Sequence, residues 1–327
     1  MMMEWDKAAA LLSQAQYIVI VTHVGPDGDA IGSLLGLMWA LRRLGKRVVP
    51  AVDEGVPPEF TFLPGAEEVR AALGDVQPDL VIAVDCGDPG RMGKAGEAAR
   101  AAGAPLINLD HHITNTRFGD ANLVDPATVA SAEGVLDWLD RLGVAPDRQI
   151  ATCLLTGIVT DTLCFRTDNV SAAVFGKAQR LIEAGAPYSE ITQRTVMRMS
   201  FEALGLWAAV LPRMRLEEEG ILWVAIDRPT RQALNYNDAR DGGLVSLLIS
   251  ADRARIAAVF REKDDGKVEI GFRAVPGYDV ATVAARLGGG GHALAAGCTI
   301  DGPLEEAVAR TLALLREAAR EGAPVVP

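Results

Sequence analysis

Tyr17-Ile-Val-Ile-Val-Thr-His23-Val-Gly-Pro-Asp27-Gly-Asp29-Ala-Ile-Gly-Ser is the stretch on which the reading of this chain turns. Residues 17–22 form a short apolar run, the pattern of a strand buried on both faces. Over 30–44 the period changes, and Leu34, Leu37, Met38 and Leu41 fall on one helical stripe. The loop between them carries a histidine and two aspartates. The alternation continues. Residues 47–52, 80–84 and 105–109 are again short and apolar, and helical runs follow at 131–142, 148–159 and 171–184. Such a pattern predicts an α/β fold, with a parallel sheet covered by helices on both faces.

The polar residues sit where such a fold builds a site. His23, Asp85 and the triplet Asp110-His111-His112 each occur as an expected strand ends. In open parallel sheets, ligands bind outside the carboxyl ends of the strands. Three separate segments therefore deliver Asp and His groups to one crevice, and Asp27 and Asp29 reach the same rim. Imidazole with carboxylate suits Mn²⁺ or a related ion, and the Cys-rich donor set of structural zinc is absent. The donors exceed what one ion needs, which points to two metals on the order of 4 Å apart, an arrangement suited to phosphoryl displacement. Each position has an ordinary alternative: Asp29 as the cap of a helix beginning at Ala30, Asp85 as the start of a turn. Packing alone, however, does not require three strand ends to finish in Asp or His.

Bulk properties narrow the function classes. At 327 residues the chain is long enough for two cores, and 49% hydrophobic with 23% charged residues is ordinary soluble composition. A net charge of −11 argues against tracking along duplex nucleic acid, which relies on many Lys and Arg contacts. Short phosphorylated substrates remain open. The start, Met-Met-Met-Glu-Trp-Asp, lacks a signal-peptide pattern, and no apolar run is long enough to span a bilayer. A cytoplasmic protein without membrane contact is expected. The four cysteines, Cys86, Cys153, Cys164 and Cys298, form no CxxC pair and read as reduced, buried thiols; Cys86 is assigned to packing rather than to metal.

Three regions are expected: a catalytic domain over 1–187, a helical connector over 188–215 and a smaller α+β domain over 216–327. In the last, strands are read at 221–226, 256–261 and 268–272, and helices at 280–287 and 304–320. All four histidines of the chain lie in chemistry-bearing motifs, and the fourth, His292, closes the run Gly288-Gly289-Gly290-Gly291. Glycines let backbone N–H groups approach an anion closely, although a turn after the preceding helix is the simpler account of the run. Arg273, at a strand end, supplies a guanidinium suited to forked phosphate contacts.

Taken together, His23-Val-Gly-Pro-Asp27-Gly-Asp29, Val84-Asp85, Asp110-His111-His112 and Thr160-Asp161-Thr162 resemble the four motifs of the DHH phosphoesterase superfamily. The resemblance implies that His23 and Asp27 bind one Mn²⁺, and that Asp29, His111 and Asp161 bind a second, with Asp85 bridging the two. It further implies that Asp110 orients a histidine and that His112 faces the phosphate, stabilising charge or protonating the leaving oxygen. Gly-Phe-Arg273-Ala, Tyr-Asp-Val and the Gly-His run resemble the DHH-associated C-terminal domain, where Arg273, Gly289, Gly290, Gly291 and His292 would hold substrate. Length and domain content are most similar to the bacterial nanoRNase/pAp phosphatase group, whose members degrade very short RNA and remove the 3′-phosphate of 3′-phosphoadenosine 5′-phosphate (pAp).

The expected activity is therefore Mn²⁺-dependent hydrolysis of short RNA or DNA oligonucleotides or of pAp, by in-line attack of a metal-bridging hydroxide. A homodimer is compatible with the sequence. Alternatives are a phosphodiesterase acting on linear pApA or cyclic di-AMP, a single-strand DNA exonuclease and, from another class, a non-catalytic nucleotide sensor. The chain departs from the family pattern at Ala274-Val275 after the Phe-Arg pair, at Ala281 after Asp279-Val280, and at Leu163 where glycine is usual. None of these positions is an expected ligand.

Overall fold

A computed structural model describes every residue except 1–2, 198, 235, 237–241 and 323–327. The chain divides into two units, Met1–Arg198 and Met199–Pro327. In the first, α1 (Trp5–Gln14) precedes β1 (Tyr17–Val21), α2 (Gly28–Arg43), β2 (Arg47–Ala51) and β3 (Leu80–Val84). There follow α3 (Gly93–Ala101), β4 (Leu106–Asp110), β5 (Ala121–Val124), α4 (Ser131–Arg141), α5 (Arg148–Asp161), α6 (Ala172–Glu183) and α7 (Tyr188–Arg194).

All five strands run parallel, in the order β2-β1-β3-β4-β5. Alternate side chains face opposite layers. Ile18, Ile20, Ile82, Val84, Ile107 and Leu109 join the core formed with α1, α2, α4 and α5, whereas Val19, Val21, Val81 and Ala83 pack with Ala95 and Ala99 of α3. The chain leaves β1 for β2 on one side and returns to β3 on the other. The loops after β1 and β3 therefore part at a switch point, where open sheets bind ligands.

The sequence reading missed β5. It is four residues long, carries Asn122 and lies at the sheet edge, so no sustained apolar run marks it. The connection from β4 to β5 spans the ten residues 111–120 without a helix, although parallel neighbours are usually joined through one.

A glycine seam decides how α2 meets α5. A Cβ on Gly28 would lie 2.4 Å from Thr160 Oγ1, one on Gly32 would lie 2.5 Å from the Cys153 carbonyl oxygen, and one on Gly36 would lie 2.5 Å from Leu154 Cδ2. The four-residue spacing places all three on one face. Only glycine permits this approach, and it sets the start of α2 beside the end of α5.

The second unit contains α8 (Phe201–Val210), β6 (Arg215–Leu216), β7 (Ile221–Ile226), α9 (Arg228–Ala233), α10 (Leu244–Ile249) and β8 (Ile256–Glu262). It continues with β9 (Lys267–Ala274), α11 (Ala281–Arg286), β10 (Gly290–His292), β11 (Ala295–Asp301) and α12 (Leu304–Glu321). Its sheet, ordered β10-β11-β9-β8-β7-β6, is antiparallel apart from the β7–β8 pair. The stretch read as a helical connector comprises α7 in the first unit and α8 in the second; residue 198 within it lies outside the described residues. Among the described residues, no helix is long and apolar enough to cross a membrane.

Gly32→Ala is expected to destabilise the protein by about 1–3 kcal/mol, because the added methyl meets backbone that cannot rotate away. Denaturant unfolding would show this as a lower midpoint, and an unchanged midpoint would contradict the seam.

Candidate metal centre

Each strand end contributes as its position requires. His23 stands two residues beyond β1, Asp85 follows β3, and β4 ends on Asp110, with His111 and His112 next. Asp27 caps α2, its Oδ1 accepting the N–H groups of Asp29 and Ala30 at 3.0 Å. The cap is thus Asp27 and not Asp29, and Asp29 is left to point elsewhere. Its Oδ2 accepts the Ser131 N–H at 2.6 Å, and its Oδ1 accepts the Ala132 N–H at 2.9 Å, both from the start of α4. Asp161 is the last residue of α5, so the glycine seam brings it alongside.

The side chains converge. His23 Nε2 lies 3.4 Å from Asp85 Oδ2 and 4.0 Å from Asp27 Oδ1. His111 Nε2 lies 3.6 Å from Asp85 Oδ1, 3.6 Å from Asp161 Oδ2 and 3.9 Å from Asp29 Oδ2. Among the described residues, three groups have donor atoms mutually within 4.8 Å: His23 with Asp27 and Asp85, Asp29 with His111 and Asp161, and Asp85 with His111 and His112. Asp85 belongs to two of them. It is buried, takes the left-handed φ of +53°, and accepts a hydrogen bond from Ser131 Oγ at 3.0 Å. Left-handed backbone at a non-glycine residue costs about 1–2 kcal/mol, and here it accompanies a carboxylate shared between donor groups.

Crowded carboxylates alter one another's proton affinity. Burial pushes Asp29 well above the usual carboxylate range, and the charges of Asp85, Asp161 and Asp27 add to the effect. Burial likewise raises Asp161 to about 6, against the opposing influence of His111. For Asp85, burial is outweighed by the hydrogen bond to His23 and by the charges of His111, His23 and His112, so its carboxyl lies below the ordinary value. The arrangement carries an excess of buried negative charge that a divalent cation would neutralise. Oxygen and imidazole donors fit such an ion, and Nε2 is the His23 ring nitrogen that faces Asp85 and Asp27, while Nδ1 lies 2.9 Å from the Val24 carbonyl. Cys86 is not part of the centre: its Sγ donates to the Asp88 carbonyl, and burial pushes the thiol up to about 12.

Asp110 sits behind the third histidine. Its Oδ1 lies 2.7 Å from His112 Nδ1, and this hydrogen bond, working against burial, raises His112 to about 9. Sequence reasoning missed the residues that hold Asp110. Asn115 Nδ2 donates to Asp110 Oδ2 at 2.5 Å and to Asn108 Oδ1 at 2.9 Å, while Asn108 Nδ2 donates to the Cys86 carbonyl at 3.0 Å. An asparagine inside the apolar run Leu-Ile-Asn-Leu-Asp was the available signal. Arg91 was also missed; its Nη2 lies 3.2 Å from His23 Nδ1.

Leu163, Cys164 and Phe165, directly after Asp161-Thr162, take φ values of +48°, +63° and +61°. The position where the family pattern has glycine thus keeps a backbone that favours glycine. Thr162 Oγ1 accepts the Phe165 N–H at 2.9 Å and braces the turn.

In the second unit, Arg273 and His292 both pair with Ala295, from β9 and β10 respectively. Paired residues share a sheet face, so the two side chains stand in one row, roughly 10 Å apart. The glycine run is not a free loop. Gly288 takes φ +80° just past α11, and Gly290, Gly291 and His292 form β10. Glycine is demanded at 289 and 291, where a Cβ would come within 2.2 Å of the Gly297 carbonyl and 2.5 Å of the Ala295 carbonyl; Gly290 faces open space.

Two measurements test this geometry. In the metal-free protein, Asp161 holds its proton more tightly folded than unfolded, so its cost to stability grows as pH rises from about 4 through about 6. Asp161→Asn should therefore stabilise the metal-free protein by roughly 1–2 kcal/mol at pH 7.5, with a smaller gain towards pH 5, and should reduce the stabilisation that Mn²⁺ brings. Separately, Leu163→Gly should raise stability by about 1 kcal/mol, since Leu163 is half-exposed and loses little packing. A fall in the unfolding midpoint would exclude the left-handed turn.

Comparison with known proteins identifies chains that this one resembles. The family description "DHH family, N-terminal domain" matches residues 17–158, and "DHHA1 domain" matches residues 231–321. The chain is 36% identical over 324 residues to the bifunctional oligoribonuclease and PAP phosphatase NrnA of Thermus thermophilus, covering 96% of this chain and 94% of that protein. It is 28% identical to the Bacillus subtilis protein of the same description, covering 86% and 89%. Among solved structures, an exopolyphosphatase-related protein from Bacteroides fragilis shares the fold with a TM-score of 0.88 at 24% identity, over 97% of this chain and 96% of that one. With a strand order built around the β1/β3 switch point and Asp and His residues at its rim, the chain belongs to the DHH family of phosphoesterases.

Proposed function

We propose that this chain is a Mn²⁺-dependent phosphohydrolase that degrades short RNA oligonucleotides and removes the 3′-phosphate of pAp. The observation that carries the reading is Asp85, a buried carboxylate common to two donor groups and 3.7 Å from His112. The resemblance to NrnA proteins, named for oligoribonuclease and PAP phosphatase activity, supports this choice of substrate.

His23, Asp27 and Asp85 would hold one divalent ion, and Asp29, His111, Asp161 and Asp85 the other. When bound, such ions supply hydroxide near neutral pH and neutralise phosphate charge. The protein's own groups do the remainder. Asp110 and Asn115 fix the His112 ring, and in the metal-free protein the hydrogen bond to Asp110 raises its proton affinity. His112 then stabilises charge at phosphorus and passes a proton to the departing oxygen. In the second unit, the row containing Arg273 and His292, together with the open backbone at Gly290, is proposed to hold a further phosphate of a short RNA substrate.

In Mn²⁺, the protein should hydrolyse two- to five-residue RNA and pAp faster than DNA oligonucleotides of the same length, linear pApA or cyclic di-AMP, and a chelator should stop turnover. Asp85→Ala should abolish activity with the fold intact, and His112→Ala should lower kcat by about 10²–10⁴. Full activity in Asp85→Ala would sink the mechanism. Turnover of pApA alone would replace the substrate assignment, and absence of any turnover would leave a nucleotide sensor.

A further inference from the structure

The first unit contains a cavity of ≈ 670 Å³ that begins at His112. Its walls are Met3, Trp5, Ile113, Val124 and Pro126, with Asn115, Arg117 and Asp125 among them. It exists because the chain returns from β4 to β5 without a helix, leaving the sheet edge beyond His112 uncovered by regular structure. The N-terminal segment closes the other side. The Glu4 N–H donates to the Asn122 carbonyl at 3.1 Å, and Glu4 Oε2 accepts the Asn122 N–H at 2.8 Å. This fixes Met3 and Trp5 against β5.

The lining has the character of a nucleoside site. It is mostly apolar with a few polar groups, within the volume range typical of small-molecule pockets. The Arg141 guanidinium lies over the Trp5 ring, 4.6 Å from its centroid, and Trp5 contributes part of its indole surface to the cavity lining, where a base can contact it. Ile113 is 76% exposed, the condition of a side chain awaiting a partner more than of one filling a core. Asn115 is committed, since its amide serves Asp110 and Asn108 and its Oδ1 accepts the Arg117 N–H at 2.6 Å. Arg117, whose Nη1 lies 3.5 Å from the Val124 carbonyl and whose charge also acts on Glu4, brings a guanidinium to the same walls as Asp125.

Chemistry chooses which part of the substrate belongs there. The 3′-phosphate of pAp is attached to O3′, so its removal breaks the P–O3′ bond and the electron pair leaves on that oxygen. If His112 gives this oxygen its proton, the departing nucleoside lies on the His112 side of phosphorus. The same polarity applied to RNA also expels O3′, so one pocket serves both substrates. We propose that the cavity seats the nucleoside whose 3′-oxygen departs, with its base against Trp5, Met3 and Ile113 and its 5′-phosphate at Arg117. This rests on the phosphohydrolase reading above and adds to it a product-side subsite within the first unit.

Adenosine 5′-monophosphate, the product left from pAp, is the probe. Its binding to the full chain without metal, measured by titration calorimetry, should be at least about fivefold weaker in Ile113→Ser and in Arg117→Gln, the factor that ~1 kcal/mol of lost contact gives. KM for pAp should rise alongside. Adenosine lacks the phosphate, so its affinity should fall in Ile113→Ser and stay level in Arg117→Gln. Circular dichroism melting verifies the fold of each variant. If wild type binds no adenosine monophosphate, or both variants bind it as well as wild type does, the subsite is overturned, and turnover of pAp or short RNA by wild type would leave the parent reading standing. If the variants lose the nucleotide but wild type cleaves neither substrate, the pocket stands and the parent reading fails.

Discussion

Like charges confined to one buried rim are the constraint around which the first unit is arranged. Asp29, Asp85 and Asp161 repel one another, and burial makes their ionised forms costlier still. The fold opposes that repulsion with directed dipoles. The first N–H groups of α4 point at Asp29, whose Oδ1 also accepts the Ser33 hydroxyl, and Ser131 turns its own hydroxyl to Asp85. The imidazoles of His23 and His111 stand between the carboxylates. A structure selected for stability alone would have little reason to gather these groups, whereas one prepared for divalent cations gains its neutralising charge on binding.

Close backbone packing makes the arrangement reachable. Asp161 lies more than 130 residues from Asp29 along the chain; it ends α5, whereas Asp29 stands in the first turn of α2. The approach of α2 to α5 along Gly28, Gly32 and Gly36 leaves no room for a side chain between them. The same economy recurs at Gly157, where a Cβ would come within 2.6 Å of Asp29 Oδ1. Strain collects nearby, at Asp85 and in the turn over 163–165. Backbone strain of this kind persists where surrounding contacts over-determine the conformation.

The two units solve different problems. The first concentrates acidic and imidazole donors on a parallel sheet; the second sets one arginine and one histidine in a row on a mixed sheet, with glycines permitting close strand contact. The overall charge of −11 is compatible with a short phosphorylated substrate, for which a few fixed cationic groups can do what a broad basic surface does for duplex tracking.

By itself the sequence determined the α/β alternation, the parallel sheet of the first unit and the position of His23, Asp85, Asp110, His111 and His112 at strand ends, because apolar periodicity and polar punctuation are local properties. It also carried the motif resemblance that drew attention to Asp161, a residue that helix periodicity alone would leave as a helix end. Tertiary structure decided what local pattern cannot hold. It assigned the α2 cap to Asp27, gave Asp29 to the α4 backbone, and set Asn108 and Asn115 behind Asp110. It turned the glycine run into a strand and formed the short edge strand β5 without a helix before it. Asp29 meets the α4 backbone about a hundred residues along the chain, whereas the Asp27 cap, the Asn115–Asp110 contact and the β10–β11 pair join residues close in sequence. In all of them only the folded backbone sets the N–H, carbonyl or side chain within hydrogen-bonding distance.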